Sequence, residues 1–340
     1  MALSTPSDPA RRPRVLLVSL GGTITMTREA TGSGVVPTLG AAELVEAVPG
    51  LADVAEVVAH SALRVPGASL GFDDLIHLAA LLEARFAGGI DGAVVIQGTD
   101  TIEETAWFLD LLVASDAPVV VTGAMRGPQM PGADGPANLL ASTIVAASEE
   151  ARGLGALAVL NDEVHAARFV QKSHTALPSA FASPSAGPVG FVAEGRFRRH
   201  VHLARTPHVD LAASTQEAPV ALVRMALGDD GRVLGALPGL GYRGAVIEAM
   251  GAGHVAAGVA PLVGDLVRHM PVVLAVRVPA GPAFTKTYGF AGSEIDLLGR
   301  GVLPGGWLGG LRARILLSLL LRSGLTGAAL AERFAEYAGR

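Results

Sequence analysis

Short runs of apolar residues recur along the chain, and glycine or proline stands at the ends of most of them. The runs are RVLLVSLGG, GAVVIQGTD, PVVVTGAM, GALAVLND, PVALVRMAL, GAVIEAMGAG and PVVLAVRVP. Most of them are separated by stretches with helical spacing, for example ELVEAVPGLADV and EETAWFLDLLVAS. Continuous apolar strands that alternate with amphipathic helices are typical of parallel sheets covered on both faces. The pattern therefore predicts an α/β fold.

The stretch TPHVDLAASTQEAP is rich in turn-forming residues and poor in hydrophobic ones, which is typical of a linker. It follows GPVGFVAEGRFRRHVHLAR, whose alternation predicts a β-hairpin with a solvated arginine-rich face. We expect two α/β domains with mainly parallel sheets, the larger N-terminal one doubly wound and flavodoxin-like. The predicted parts are a disordered tail at 1–14, the N-terminal catalytic domain at 15–200, a linker at 201–217 and a smaller C-terminal domain at 218–340.

Composition and charge exclude several classes of function. A chain of 340 residues with 50% hydrophobic content can fill two cores. The net charge of -5 comes from interspersed acids and bases, so we expect no nucleic-acid partner, and the absence of cysteine excludes disulfides. Arginine interrupts the most apolar stretch, RILLSLLLR, long before it could span a bilayer, so we expect no membrane partner. The apolar run that follows the pair Arg11 and Arg12, VLLVSL, is too short for the apolar region of an export signal. This predicts a cytoplasmic protein.

Polar or glycine-rich segments follow several of the predicted strands. In open parallel sheets, ligands bind beyond the carboxyl ends of the strands, where the strand-to-helix loops lie together. We therefore expect a site built from the segments GGTIT, QGTDT, TGAMRGPQM and NDEVHAARFVQK. The histidines are scattered without metal-ligand spacing, so we expect no metal site.

The segment QGTDTIEETAWF has two interpretations. Thr101 and Glu104 have the spacing of a capping box, which predicts a helix start. That interpretation leaves Thr99 and Asp100 without a role. A hydroxyl and a carboxylate at a helix N-terminus can bind the two ends of a zwitterion, and the spacing alone does not decide between the two interpretations.

The segment GGTIT lacks the order of glycines found in dinucleotide-binding loops, and it lacks the lysine of a P-loop. Phosphate binding is therefore unsupported. A threonine on a glycine-rich segment can be a covalent nucleophile where a base lies close enough to take its proton. Thr23 is a candidate for that role, although a threonine in such a segment is more often structural.

Lysine usage points to a base. Lys172 and Lys286 are the only two lysines among the 26 basic residues. In a chain so biased toward arginine, lysine is expected where a group must lose its proton, which arginine cannot do. With Thr99 and Asp100, Lys172 would form a relay in which the lysine takes the threonine proton and the aspartate orients the lysine. Alternatively, Lys172 is a lysine that the arginine bias left by chance. For Lys286, chance and a role at the same edge of the sheet are equally good explanations.

Together these segments resemble the bacterial-type L-asparaginase family. LLVSLGGTITM and VVIQGTDTIEETAWFLDLL match the two family signatures. They are followed by PVVVTGAMR, GADGPANL, ND at 161–162 and KSHT at 172–175. The resemblance extends from about residue 14 to RARILLSLLL near the C-terminus.

The resemblance implies a two-domain α/β hydrolase that converts L-asparagine to L-aspartate and ammonia without a cofactor. In the family, the threonine that matches Thr23 attacks the side-chain amide. The residues that match Thr99, Asp100 and Lys172 form a second triad, and the aspartate also binds the substrate α-amino group. Backbone N–H groups near Thr99 and Ala124 are candidates for the oxyanion hole.

The resemblance also implies a homodimer or homotetramer whose active sites are completed across an intimate dimer. EAMGAGH in the second domain would be the contributing segment. Where the family often has a GNGN-like segment with polar side chains, this chain has GAGH, so His254 is the candidate that replaces them.

Two further positions differ from the family pattern. The tyrosine that often follows the nucleophile is replaced by Gly34 or Val35 in SGVVP. Where the family has a hydroxyl and a polar neighbour for the substrate carboxylate, this chain has Gly67 and Ala68, which leaves backbone N–H groups or Ser69.

Two classes of function are compatible with these differences. In one, the protein is an amidohydrolase for L-asparagine, for L-glutamine or for another amide. In the other, it is a catalytically weak protein that binds amino acids. The retained Thr23, Thr99, Asp100 and Lys172 favour the enzyme, since a binding protein has no need for that lysine.

Overall fold

A computed structural model describes residues 11–22, 26–28, 35–37, 41–211 and 216–339 of the chain. The chain divides into two compact units, residues 1–205 and residues 206–340. Of the predicted disordered tail, residues 1–10 lie outside the described residues. Residues 11–14 are instead part of the folded first unit, since Arg11 forms an ion pair with Asp91 at 2.8 Å and the first strand begins at Arg14.

The first unit contains the larger sheet. The strands of the whole first unit are β1 (Arg14–Ser19), β2 (Met26–Arg28), β3 (Val35–Pro37), β4 (Glu56–Ser61), β5 (Gly92–Ile96), β6 (Val119–Thr122), β7 (Ala156–Leu160), β8 (Glu163–Ala166), β9 (Gln171–Lys172), β10 (Phe181–Ala182), β11 (Gly190–Ala193) and β12 (Arg196–Arg199). Its helices are α1 (Ala41–Ala47), α2 (Leu51–Val54), α3 (Phe72–Ala87), α4 (Ile102–Leu112) and α5 (Gly135–Ala146).

Within the described residues, this sheet has eight strands in the order β12-β11-β8-β7-β6-β5-β1-β4. β4, β1, β5, β6 and β7 are parallel to one another, whereas β8, β11 and β12 pair antiparallel. When the five parallel strands are numbered by their order along the chain, their order across the sheet is second, first, third, fourth and fifth. That is the doubly wound, flavodoxin-like order, which reverses direction between β1 and β5.

The strands form where the apolar runs predict them because both faces of the sheet are covered. Val15 and Leu17 pack in one core cluster with Leu51 of α2 and Leu139 of α5. Residues between them along β1, such as Leu16, are equally buried and point to the opposite face. A strand buried on both sides must be apolar at every position, which explains the continuous runs.

The second unit contains a smaller parallel sheet. Across the part of this unit that the structure describes, four strands lie in chain order, β13-β14-β15-β16, and every pair is parallel. Its strands are β13 (Val220–Arg224), β14 (Gly244–Ala249), β15 (Val272–Val276) and β16 (Leu303–Pro304). Its helices are α6 (Arg232–Ala236), α7 (Ala260–Val267), α8 (Glu294–Gly299), α9 (Gly310–Arg322) and α10 (Gly327–Ala338).

The prediction of two α/β domains with mainly parallel sheets, the larger one N-terminal, is confirmed. The predicted hairpin is β11 paired with β12. The ELVEAVPGLADV helix is interrupted, since α1 ends at Ala47 and α2 begins after Gly50, which has a φ of 86°. The boundaries of the linker stay a prediction, and residues 212–215 within it lie outside the described residues. The apolar segment RILLSLLLR belongs to α9, and no helix in the described ranges is long and apolar enough to cross a membrane.

Candidate functional site

The four segments predicted to form the site begin at the same edge of the sheet. β1, β5, β6 and β7 are mutually parallel, so their carboxyl ends share one edge, as predicted from sequence. The segments that follow them begin at Leu20, Gln97, Gly123 and Asn161. Side chains that are distant in sequence can therefore meet at this edge.

Lys172 lies between Thr99 and Asp100. Its Nζ donates to Thr99 Oγ1 at 2.9 Å and forms an ion pair with Asp100 Oδ1 at 2.8 Å. The Lys172 side chain is 18% exposed and Thr99 is 7% exposed, whereas the Asp100 side chain is 65% exposed. The structure thus assembles the predicted Thr–Lys–Asp constellation, with the hydroxyl buried and the carboxylate open to solvent.

Lys172 is held by a short hairpin and by a glutamate of α4. β9 and β10 pair antiparallel with Phe181 opposite Lys172, and Ser173 N donates to Ala180 O next to that pair. The backbone N–H of Lys172 also donates to Glu103 Oε1 at 3.3 Å. The ammonium group is therefore positioned by backbone contacts to two different elements.

A buried histidine joins the same hairpin to the sheet. His165 of β8 is 1% exposed, and its Nδ1 lies 3.0 Å from the hydroxyl of Ser183, which directly follows β10. Its Nε2 lies 3.4 Å from Glu163 Oε2. Burial lowers the pKa of His165 by more than the nearby Glu163 carboxylate raises it, so the ring is held neutral.

Thr99 and Asp100 lie in a 3-10 turn, Thr99–Thr101, directly before α4. The predicted helix start is confirmed, since α4 begins at Ile102 with Thr101 at the N-cap position, but the Thr101 side chain makes no capping hydrogen bond to the helix. Its hydroxyl instead donates to the carbonyl of Gly67 at 3.0 Å and accepts from Gln97 Nε2 at 3.0 Å. The sequence spacing of a cap is present, but a distant carbonyl binds the hydroxyl.

The glycines before Thr23 allow close contact between backbones. Gly21 and Gly22 have φ values of 113° and 98°. A Cβ on Gly22 would lie 2.1 Å from the backbone N of Gly98, and one on Gly21 would lie 2.5 Å from Val65 O. Only glycine fits at either position. The chain therefore meets the Thr99 turn one residue before Thr23, which itself lies outside the described residues.

Two residues that sequence reasoning missed organise the loop after β6. The Asp134 carboxylate accepts the backbone N–H groups of Met125 at 2.9 Å and Arg126 at 2.8 Å. Asn138, one turn further along α5, donates to Gly123 O and accepts from Asn161 N. These bonds fix the loop around buried Ala124, the candidate oxyanion donor. The four-residue spacing in GADGPANL, which places both side chains on one helix face, could have revealed them.

The candidate carboxylate site, Gly67–Ser69, forms a second 3-10 turn. A Cβ on Gly67 would lie 2.7 Å from Gly98 O, so this turn packs directly on the backbone before Thr99. Gly67 thus lies beside the turn that carries Thr99, with no side chain between its backbone and that of Gly98.

His254, in the second unit, lies beside a buried carboxylate. Its Nε2 is 3.3 Å from Oε2 of Glu294, which is fully buried, and its ring contacts Tyr288 edge-on at 4.8 Å. Burial raises the pKa of Glu294, but the N–H groups of Tyr288 and Thr287 outweigh it, so the net pKa is lowered and the carboxylate stays ionised.

The structure describes only part of the segment predicted to replace the family tyrosine. Gly34 and the side chain of Val35 lie outside the described residues, although the Val35 backbone begins β3. Among the residues with described positions, no group of three or more carboxylate or imidazole side chains is arranged to hold a metal ion.

This fold and constellation define a class of two-unit α/β proteins with a Thr–Lys–Asp site at the carboxyl edge of a flavodoxin-like sheet. Comparison with known protein families identifies the class. Residues 14–205 match the family model described as Asparaginase, N-terminal, and residues 219–334 match the Glutaminase/Asparaginase C-terminal domain. The chain belongs to the asparaginase family.

Individual relatives agree with this assignment. A probable L-asparaginase of Deinococcus radiodurans is 36% identical over 93% of this chain and 95% of its own length. An L-asparaginase of Bacillus licheniformis is 32% identical over 91% of this chain and 96% of its own length. The crystal structure of a probable cytoplasmic L-asparaginase from Campylobacter jejuni is 29% identical and superposes with a TM-score of 0.85. That alignment covers 96% of this chain and 100% of the other chain.

Proposed function

We propose that this protein hydrolyses the side-chain amide of L-asparagine to L-aspartate and ammonia, with Thr23 as the nucleophile. Membership of the asparaginase family supports the reaction class. The observation that carries the proposal is the position of Lys172 Nζ, within 2.9 Å of Thr99 Oγ1 and 2.8 Å of Asp100 Oδ1. A buried hydroxyl, an amine and a carboxylate in contact are the parts of a proton relay.

In the proposed reaction, the Thr23 hydroxyl attacks the carboxamide carbon and forms a tetrahedral intermediate. As the intermediate collapses, the nitrogen takes up the proton that the Thr23 hydroxyl gave up, the C–N bond breaks, ammonia leaves and an ester remains on Thr23. Water then hydrolyses the ester and releases aspartate. Once Lys172 has given its extra proton to solvent, its amine can take the proton that leaves Thr99 Oγ1, and Asp100 stabilises the ammonium so formed. Thr99 can thereby accept a proton from water or from the nucleophile.

The substrate zwitterion has candidate partners beside this relay. The exposed carboxylate of Asp100 is available to the α-ammonium group, and the Gly67–Ser69 turn, including Ala68, is the candidate for the α-carboxylate. The N–H groups of Thr99 and Ala124 are the candidate oxyanion donors. Preorganised donors of this kind contribute about 3–4 kcal/mol to transition-state stabilisation.

A coupled ammonia assay with L-asparagine, L-glutamine, D-asparagine and N-capped amides tests the proposal. We expect turnover with L-asparagine and none with the Thr23→Ala variant. Turnover with L-glutamine or a capped amide alone would identify a different amidase. Failure of every amide would favour the amino-acid-binding protein, and a Thr23→Ala variant of wild-type rate would exclude Thr23 as nucleophile.

The proposal includes a homodimer or homotetramer in which His254 of one chain completes the substrate site of another. Support comes from its half-buried position beside the ionised Glu294, which can orient the imidazole. A cytoplasmic location is part of the proposal, and the Campylobacter jejuni protein is described as cytoplasmic. A Haemophilus influenzae relative that is 32% identical is instead described as periplasmic. Sedimentation and cell fractionation test these two points.

A further inference from the structure

Two short turns of the first unit touch through their backbones. The Gly67–Ser69 turn and the segment before Thr99 approach so closely that a Cβ on Gly98 would lie 2.8 Å from Gly67 N. In the reverse direction, a Cβ on Gly67 would lie 2.7 Å from Gly98 O. No side chain separates the turns, so their spacing depends on hydrogen bonds around this contact.

Thr101 supplies the hydrogen bond that joins the two turns. Its Oγ1 donates to Gly67 O at 3.0 Å. The same carbonyl accepts Leu70 N at 3.2 Å and thereby closes the Gly67–Ser69 turn. Thr101 therefore binds the carbonyl oxygen that closes the Gly67–Ser69 turn. Thr101 itself is the last residue of the turn that carries Thr99 and Asp100.

Gln97 orients the Thr101 hydroxyl. Its fully buried amide donates from Nε2 to Thr101 Oγ1 at 3.0 Å and to Gly98 O at 3.2 Å. Because the hydroxyl accepts from Gln97, its single proton is directed to Gly67 O. The direction of the Thr101 bond is thus set by a second side chain.

We propose that Thr101 is a positioning residue for recognition of the substrate α-carboxylate. This inference rests on the proposed function, in which Gly67–Ser69 receives the carboxylate and Asp100 the ammonium. A chain with Gly67 and Ala68 at these positions presents backbone rather than a polar side chain there. The fit of this backbone to a carboxylate then depends on the distance between the Gly67–Ser69 turn and Asp100. The Thr101 hydrogen bond to Gly67 O fixes that distance.

The test compares L-asparagine with β-alaninamide, which is the same molecule without its α-carboxylate. We expect Thr101→Val to lower kcat/KM for L-asparagine about threefold to tenfold, the worth of one hydrogen bond, through KM. The value for β-alaninamide should stay within about twofold, and Thr101→Ser, which keeps the hydroxyl, should restore recognition of L-asparagine. Equal losses on both amides, or no loss on L-asparagine, would overturn the inference.

Thr105 provides a matched control. It is buried one turn further along α4, and its Oγ1 has no hydrogen-bond partner among the described residues. Thr105→Val removes a hydroxyl from the same helix, so it should leave the preference for L-asparagine over β-alaninamide unchanged. Should Thr101→Val fail to fold, Gln97→Met tests the same network, and its prediction is a smaller loss in the same direction.

Binding measurements separate this inference from the proposed reaction. We expect calorimetry to detect tighter binding of L-aspartate than of β-alanine, which lacks the α-carboxylate, and Thr101→Val to reduce that preference. A protein that releases no ammonia but keeps this Thr101-dependent preference would overturn only the proposed reaction. A protein that binds neither amino acid, or binds both alike, would overturn the inference.

Discussion

Lys172 Nζ donates to Thr99 Oγ1 at 2.9 Å although 73 residues separate the two in sequence. The contact exists because Thr99 follows β5 at the carboxyl edge of the sheet, while the β9–β10 hairpin returns Lys172 to the same edge. Glu103 of α4 binds the Lys172 backbone and adds a third attachment. The geometry supports a role for this amine in proton transfer, and several variants test it.

Replacement of Lys172 should strongly reduce turnover with little loss of stability. We expect Lys172→Met to lower kcat about 100-fold to 10,000-fold, the usual contribution of a positioned acid or base. Lys172→Arg should not restore activity, because a guanidinium does not lose its proton. Lys286, the other lysine of the chain, is exposed in the second unit, so Lys286→Met is the control that should keep activity. An active Lys172→Arg variant would contradict proton transfer by this side chain.

Asn138 should stabilise the loop after β6. Asn138→Ala leaves Gly123 O and Asn161 N, both at the edge of the sheet, without their partner. We expect a loss of about 1–3 kcal/mol in the free energy of unfolding, measured by urea denaturation. Ser142→Ala is matched to it, since Ser142 is buried one turn later on α5 and its hydroxyl has no hydrogen-bond partner in the part of the chain that the structure describes. Equal losses for both variants would show that the hydrogen bonds of Asn138 add no stability.

Gly22 should tolerate no side chain. Gly22→Ala combines a φ of 98° with a Cβ only 2.1 Å from Gly98 N, so the strand end must move away from the Thr99 turn. Gly153→Ala is the control, because Gly153 also has a positive φ, 72°, but its Cβ would meet no atom of the described residues within 4 Å. The control should cost only the backbone term, about 1–2 kcal/mol. Thermal unfolding and the ammonia assay should both register the additional loss in Gly22→Ala.

The stability of the protein should fall in mild acid through His165. Burial lowers the pKa of its imidazole in the folded state, so below about pH 6.5 the unfolded chain binds a proton that the folded chain resists. The contribution is complete above that pH and is lost as the pH falls toward the folded pKa. Urea unfolding at about pH 8 and about pH 5.5 should show a smaller pH dependence for His165→Gln than for wild type. Exposed His77 provides the control, and His77→Gln should behave as wild type does.

Local sequence determined the α/β class and the positions of most elements. Apolar runs become strands because both sheet faces are covered, and helical spacing reflects burial of one helix face. These patterns repeat within a few residues along the chain, so they can be recognised without knowing which segments pack against each other. The arginine bias pointed to Lys172 as the base of a relay with Thr99 and Asp100, and the family resemblance implied the same triad.

Tertiary structure decided which polar groups meet. Thr101 has the spacing of a helix cap, yet its hydroxyl donates to Gly67 O and accepts from Gln97 rather than from a helix N–H group, because strand order brings the distant Gly67 carbonyl to it. The contacts of Gly22 with Gly98, and of Asn138 with Asn161, likewise join segments whose proximity depends on β1, β5, β6 and β7 lying side by side. A hydrogen bond between distant segments leaves no periodic trace in the sequence, since its energy depends only on where the fold places the two atoms.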